Sequence, residues 1–236
     1  MEESRKGTGQ RGDVLAWHDV SLSDEARHGG PPRSHDQAHG YARALGRQRV
    51  RRVRRGGPAG DQQPSPAPPG QAARPFCAAE RWPLAVALAH FGDWSQLGVT
   101  KSAATDVYPD TATLSFRTVR YSSTQLTLRT TELTDNAGHA LQGPTSLDRQ
   151  LIGQYDVPPY VNSADQSGAV PFLDIGNRYV LAGAQYDPQV LAGLSAAQIA
   201  AQLRNPSSPV AQAIDGSAQV IVAAINQVLH DQAVRG

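Results

Sequence analysis

Arg74-Pro75-Phe76-Cys77-Ala78-Ala79-Glu80-Arg81-Trp82-Pro83-Leu84-Ala85-Val86-Ala87-Leu88-Ala89-His90-Phe91-Gly92 is the stretch where the character of the chain changes. Upstream of it no segment keeps an apolar period. From it onward apolar residues recur at helical or strand spacing. Within it, Leu84, Leu88 and Phe91 fall at helical spacing over Cys77 to Phe91, and Gly92 is a stop signal. Pro83 lies inside that helix and predicts a kink, because proline lacks the amide hydrogen and crowds the carbonyl four residues back.

Upstream, residues 1–74 carry 13 basic and 8 acidic residues, whereas the rest of the 236-residue chain carries 9 and 13. The overall net charge of +1 therefore hides two halves of opposite sign. The first 74 residues contain no Ile and no Phe, and include an Arg-rich run (Arg47 to Arg55) and a Pro-rich one (Pro64 to Gln71). Such a composition buries too little apolar surface to offset a backbone ordering cost of about 1–2 kcal/mol per residue. Residues 1–72 are accordingly expected to be disordered, with weak apolar stripes only at Val14 to Trp17 and Tyr41 to Leu45. Residues 73–236 are expected to form one α/β domain.

Downstream, Thr113 to Val119 and Gln125 to Leu133 read as two strands of a hairpin about the polar turn Tyr121 to Thr124. A short helix is expected over Ser146 to Gln154, then a loop over Asp156 to Gly168. Pro171 to Ile175 and Arg178 to Ala182 flank Gly176-Asn177, a two-residue turn signal. Ser195 and Gln198 have capping-box spacing for a helix reaching about Leu203, and the Asn205-Pro206 break precedes a last helix over Val210 to Leu229.

The segments PFCAAERWPL (Pro75 to Leu84), HFGDW (His90 to Trp94), DVYPDT (Asp106 to Thr111) and VPFLDIGNRYV (Val170 to Val180) together resemble a poorly characterised family of thioredoxin-like proteins. The resemblance spans about Pro75 to Leu229. It implies a buried strand leading into a C-P-[FY]-C dithiol at a helix start, a later cis proline, a membrane anchor and thiol–disulfide chemistry outside the cytoplasm. This chain departs from that pattern at the dithiol, where Arg74-Pro75-Phe76-Cys77 places Arg74 in the position of the attacking cysteine. The preceding residues, Pro64 to Arg74, are not strand-like, and no anchor precedes them. The expectation is thus a thioredoxin-like α/β domain that lacks its first central strand, behind an N-terminal region replaced through a shifted reading frame or a misassigned start.

The dithiol cycle needs one thiolate to attack and a second to resolve the mixed disulfide. With a single Cys in the chain that cycle cannot run. Cys77 at the resolving-type position is then either a residual monothiol, activated by the helix N-terminus and Arg74, or a small packed hydrophobe; the second is favoured. Val170-Pro171 is the candidate cis bond, and the Val170 backbone is the candidate edge for an extended peptide or protein thiol substrate. Glu80, on the helix face of Cys77, is expected to be a solvated surface residue, with a proton-shuttling role as the alternative.

Other chemistry is weakly represented. Arg47 to Arg55 could bind polyanions, but no aromatic interleaving or nucleic-acid fold accompanies it, so no specific nucleic-acid partner is expected. His18, His28, His35 and His39 lack ligand spacing, and Asp106 and Asp110 lack the oxygen density a calcium site needs, so neither metal nor cofactor is expected. No run of about 18 apolar residues is present, so as written the chain has no membrane span and reads as soluble.

Overall fold

The computed structural model describes Gly12–Leu15, Arg51–Arg52, residues 75–160 and residues 170–234. They form a mixed α/β fold. The strands are β1 (Gly12–Leu15), β2 (Arg51–Arg52), β3 (Asp93–Ser95), β4 (Gly98–Lys101), β5 (Ala112–Ser115), β6 (Arg120–Ser122), β7 (Leu126–Arg129), β8 (Phe172–Ile175) and β9 (Tyr179–Ala182). The helices are α1 (Pro75–Ala89), α2 (Ser146–Tyr155), α3 (Ala196–Gln202) and α4 (Pro209–Ala233), with a 3-10 turn at Pro188–Leu191.

The main sheet has the order β2-β9-β8-β1-β7. β1 runs parallel to β7, with Gly12 opposite Leu126 and Leu15 opposite Arg129, and antiparallel to β8, with Leu15 opposite Asp174. Two short antiparallel pairs, β3 with β6 and β4 with β5, stand apart from it.

Here two expectations are corrected. The centre of the sheet is occupied: Gly12–Leu15, from a region expected to be disordered, supplies the backbone donors and acceptors that β7 and β8 would otherwise leave unpaired. Arg51–Arg52 also joins the sheet, antiparallel to β9 at the edge. Charged residues are common on edge strands and disfavoured in central ones. The remainder of 1–74, including Arg74 itself, the four N-terminal histidines and most of the Arg-rich run, lies outside the described residues. The second correction concerns the hairpin expected between 113 and 133. Its two halves never pair, because β5 pairs with β4 and β7 with β1, while Arg120–Ser122, placed partly in the turn, forms β6 against β3.

Alternation along β8 sets the layers. Leu173 and Ile175 join the main core with Leu84, Leu88, Ile214, Ile221 and Ile225 of α1 and α4. Phe172 faces the other way, into a smaller cluster with Val180 and with Leu151 and Tyr155 of α2. All four residues of β8 are buried, which fits a strand covered on both faces. The β8–β9 turn carries Gly176 and Asn177 at φ of 59° and 54°, the left-handed pair that a type I′ hairpin requires. A side chain at Gly176 would also meet Val228 Cγ1 at 2.6 Å.

Helix boundaries follow the local signals closely. Thr145 caps α2 and Ser195 caps α3, each in a reciprocal capping box with Asp148 and Gln198 respectively. Pro75 opens α1, where its missing N–H costs nothing. α1 continues through Pro83 without a break. α4 outruns its expected limits by one residue at the start and four at the end.

Candidate functional site

α1 presents a stripe that begins at Cys77 and continues through Glu80, Arg81, Leu84 and Leu88, all buried. Cys77 is 2% exposed, the disposition of a packed side chain. Its neighbour Ala78 accepts a hydrogen bond at its carbonyl from Thr113 Oγ1 (2.7 Å), which ties this first turn to β5. Trp82 Nε1 donates to the Ala112 carbonyl at 3.2 Å, a second tie to the same strand.

Glu80 overturns its surface expectation. It is 3% exposed, with Oε2 accepting the Gln185 N–H at 2.9 Å and Oε1 without a partner. Burial pushes its carboxyl up to about 8, opposed in part by the Gln185 hydrogen bond. Glu80 is therefore mostly protonated at neutral pH. Tyr186, whose hydroxyl donates to the Ala79 carbonyl at 2.8 Å, is held well above the usual phenol range by burial and by the nearby Glu80. The signal was present in the sequence, since Glu80 lies four residues before Leu84 and shares its stripe.

Arg81, buried one turn beyond Cys77, is held by several partners. Its Nη1 donates to the Leu114 carbonyl (2.8 Å), its Nη2 lies 3.3 Å from Glu132 Oε1, and its guanidinium sits 5.5 Å from the Phe116 ring centroid. Glu132 Oε1 also accepts the Phe116 N–H at 2.9 Å. This buried pair thus clamps α1, the end of β5 and the segment after β7. Beside it lies a cavity of about 120 Å³, walled by Cys77, Ala78 and Arg81 of α1, by β4 and β5, and by residues 132–141.

Val170-Pro171 is cis, and so is Pro158-Pro159. Pro171 is buried and Val170 half-buried. The Pro171 carbonyl accepts the Gly183 N–H at 2.7 Å, and two residues on, Gln185 holds Glu80. The short segment 183–185 therefore connects the start of β8 to the turn of α1 that follows Cys77. Cys77 and Val170 do not share a cavity, however. Val170 lines a second one, of about 50 Å³, with Phe172, Ile152, Leu151, Arg129 and Asp174.

Two further buried carboxylates were not singled out from the sequence. Asp174, on the α2 face of β8, is 1% exposed; its Oδ2 accepts the Asn177 N–H, while Oδ1 has no partner. Burial raises it to about 6 against that hydrogen bond. Asp156 follows α2 with both carboxylate oxygens unpartnered, and burial raises it to about 7. Alternation within Phe172–Ile175 was the available signal for Asp174. Asp106 and Asp110 serve their own loop, Asp106 Oδ2 accepting the Ala103 N–H and Asp110 pairing with Lys101 at 2.7 Å. Among the described residues no three His, Cys, Asp or Glu side chains gather in a way that could hold a metal ion. No helix among them is long and apolar enough to cross a membrane.

A family model described as a domain of unknown function (DUF929) matches residues 72–227. Neither the curated proteins nor the solved structures contain a match.

Proposed function

The chain belongs to the DUF929 family, and we propose that it is a thioredoxin-like protein of a thiol–disulfide oxidoreductase lineage that has lost dithiol turnover and binds extended peptide instead. The observation that carries this reading is the state of its thiol. Cys77 is the sole cysteine of the chain and is buried in the first turn of α1, so neither a resolving partner nor an accessible thiolate is at hand. Support for the fold comes from β1, which takes the place at the sheet's centre that the resemblance assigns to the strand before the dithiol. Support for the peptide comes from the segment entering β8. Val170 is half-buried next to a small, largely apolar cavity, an arrangement in which backbone pairing supplies affinity and a side-chain pocket supplies selectivity.

The test compares the wild-type chain with Cys77→Ser and Val170→Asp. Binding of a reduced, carboxymethylated unfolded protein is measured by fluorescence anisotropy, and reduction of insulin disulfides by dithiothreitol is followed by turbidity. Wild type and Cys77→Ser are expected to bind equally, Val170→Asp to bind weakly, and none to accelerate reduction. Acceleration by wild type that Cys77→Ser abolishes would return the chain to monothiol chemistry, and absence of binding would remove the peptide reading.

A further inference from the structure

Between the end of β9 at Ala182 and the 3-10 turn that opens at Pro188, residues 183–187 belong to no helix or strand. Hydrogen bonds fasten this segment at both ends. The Gly183 N–H reaches the Pro171 carbonyl at 2.7 Å. At the other end, one turn of α1 takes two bonds, from the Gln185 N–H to Glu80 Oε2 at 2.9 Å and from the Tyr186 hydroxyl to the Ala79 carbonyl at 2.8 Å. Gly183 has a φ of 82°, a backbone state glycine adopts without strain. α1 is the fixed side of the contact, since Ala78 is tied to Thr113, Arg81 to Leu114 and Glu132, and Trp82 to Ala112. Ionised Glu80 would be a buried charge with a single N–H donor, a state that is costly until water or further donors reach it. The irregular segment that supplies that donor is the part able to move and admit them.

We propose that Glu80 is a positioning residue for the peptide segment at Val170: in its neutral form it holds residues 183–186 behind Pro171, and on losing its proton it releases them and peptide affinity falls. The inference rests on the peptide reading above and adds its regulation. Burial places the change at about 8. The surroundings of Glu80 supply no competing charge. Tyr186 faces it from the segment as a neutral phenol, its proton held by burial and by Glu80 itself. On its own helix, Arg81 is turned to Glu132. β5 carries no titratable side chain. Among the described residues, neither Asp187 at the cap of the 3-10 turn nor Asp215, His230 and Asp231 of α4 contribute to the shift, whose causes are burial and the Gln185 N–H. If only the neutral form positions the segment, the competent fraction at pH 9 is about one in eleven, so binding there is about tenfold weaker than at pH 6.5.

The experiment has two readouts. Fluorescence anisotropy with the carboxymethylated unfolded protein gives Kd for wild type and Glu80→Gln from pH 6.5 to 9, with circular dichroism confirming that both stay folded. Amide nitrogen-15 and proton shifts of wild type without peptide follow Gln185, Gly183 and Val170 over the same range. Wild-type Kd is expected to rise about tenfold, and that of Glu80→Gln by less than twofold. In the free protein the Gly183 and Val170 amides should shift with the same midpoint as Gln185. The inference is overturned if wild-type Kd is flat with pH, if Glu80→Gln weakens as much as wild type, or if Gln185 titrates while Gly183 and Val170 do not. Should Glu80→Gln fail to fold, the wild-type profile and the amide shifts still decide. A protein that binds at no pH fails the peptide reading and this inference together, whereas equal binding at pH 6.5 and 9 fails this inference alone.

Discussion

Replacing Glu80 with Gln should stabilise the protein above neutral pH and leave it nearly unchanged near pH 4.5. The carboxyl titrates near the ordinary glutamate value of 4.5 in the unfolded chain and is pushed up to about 8 in the fold. The folded state therefore binds more protons than the unfolded state between those limits, and stability falls as pH rises through that window. Below pH 4.5 the contribution is complete, and above 8 it is gone. Integrated over the window, wild type loses about 3 kcal/mol by pH 7 and between 4 and 5 by pH 9, to order of magnitude. Gln reproduces the neutral acid: its Oε1 accepts the Gln185 N–H as Glu80 Oε2 does, and its amide hydrogens stand in for the acid proton. Urea denaturation of both proteins at half-unit intervals from pH 4.5 to 9 reads the difference directly. Contributions from Asp156, Asp174 and Asp215, all raised by burial, occur in both proteins and cancel. A Glu80→Gln protein less stable than wild type at pH 8 would refute the reasoning, because it would mean that the charged carboxylate is the form the fold prefers.

Asp174→Asn should show the same sign over a lower window, gaining stability between about pH 4 and 6 from the carboxyl raised from 3.8 to about 6; the pH profile of the urea midpoint checks it. Arg81→Ala is expected to cost about 3–5 kcal/mol by leaving Glu132 buried without its partner, and the double variant Arg81→Met with Glu132→Gln should recover much of that in the same denaturation assay. Alkylation of Cys77 by iodoacetamide should be slow in the folded protein and rise to the rate of a model thiol in 8 M urea; a native rate already at that level would contradict the burial of the thiol. Val14→Pro should abolish cooperative thermal unfolding, because Val14 lies opposite both Leu128 and Ile175 at the centre of the sheet and proline cannot donate to a ladder.

Where local chemistry determines structure, the sequence could be read well. The capping box at Ser195, the left-handed Gly176-Asn177 turn and the apolar period of α1 are each written within a few residues, and each lies where those residues put it. Strand partnership could not be read in the same way. Thr113 and Gln125 introduce segments that look like neighbours because they are close in sequence, yet β5 and β7 take other partners. Pattern alone cannot choose among strands of equal period. The same limit hid β1, whose four residues Gly12–Leu15 carry almost no signal in a polar surrounding and find their place through the open backbone of β7 and β8.

The candidate site shows the converse case, in which a residue was noticed and its surroundings were not. Spacing from neighbouring charges suggests a solvated surface Glu80 in a helical pair, whereas the fold buries it, at the cost an unpaired acid carries in a core. The fold meets it by keeping the acid protonated, with the Gln185 N–H on one oxygen. Burial also raises Asp156, with both oxygens unpartnered, to about 7, and Asp174, with one oxygen on the Asn177 N–H, to about 6. Carboxyls raised by burial at Glu80, Asp156, Asp174 and Asp215 make stability fall with pH between about 4 and 8. They also explain why the Arg81–Glu132 pair stands out, since there a cation, the Phe116 N–H and the Leu114 carbonyl surround the acid and its partner. Among the described residues, Glu132 is the one buried carboxylate with a guanidinium beside it, and that pairing lets it stay charged where Glu80 is held neutral.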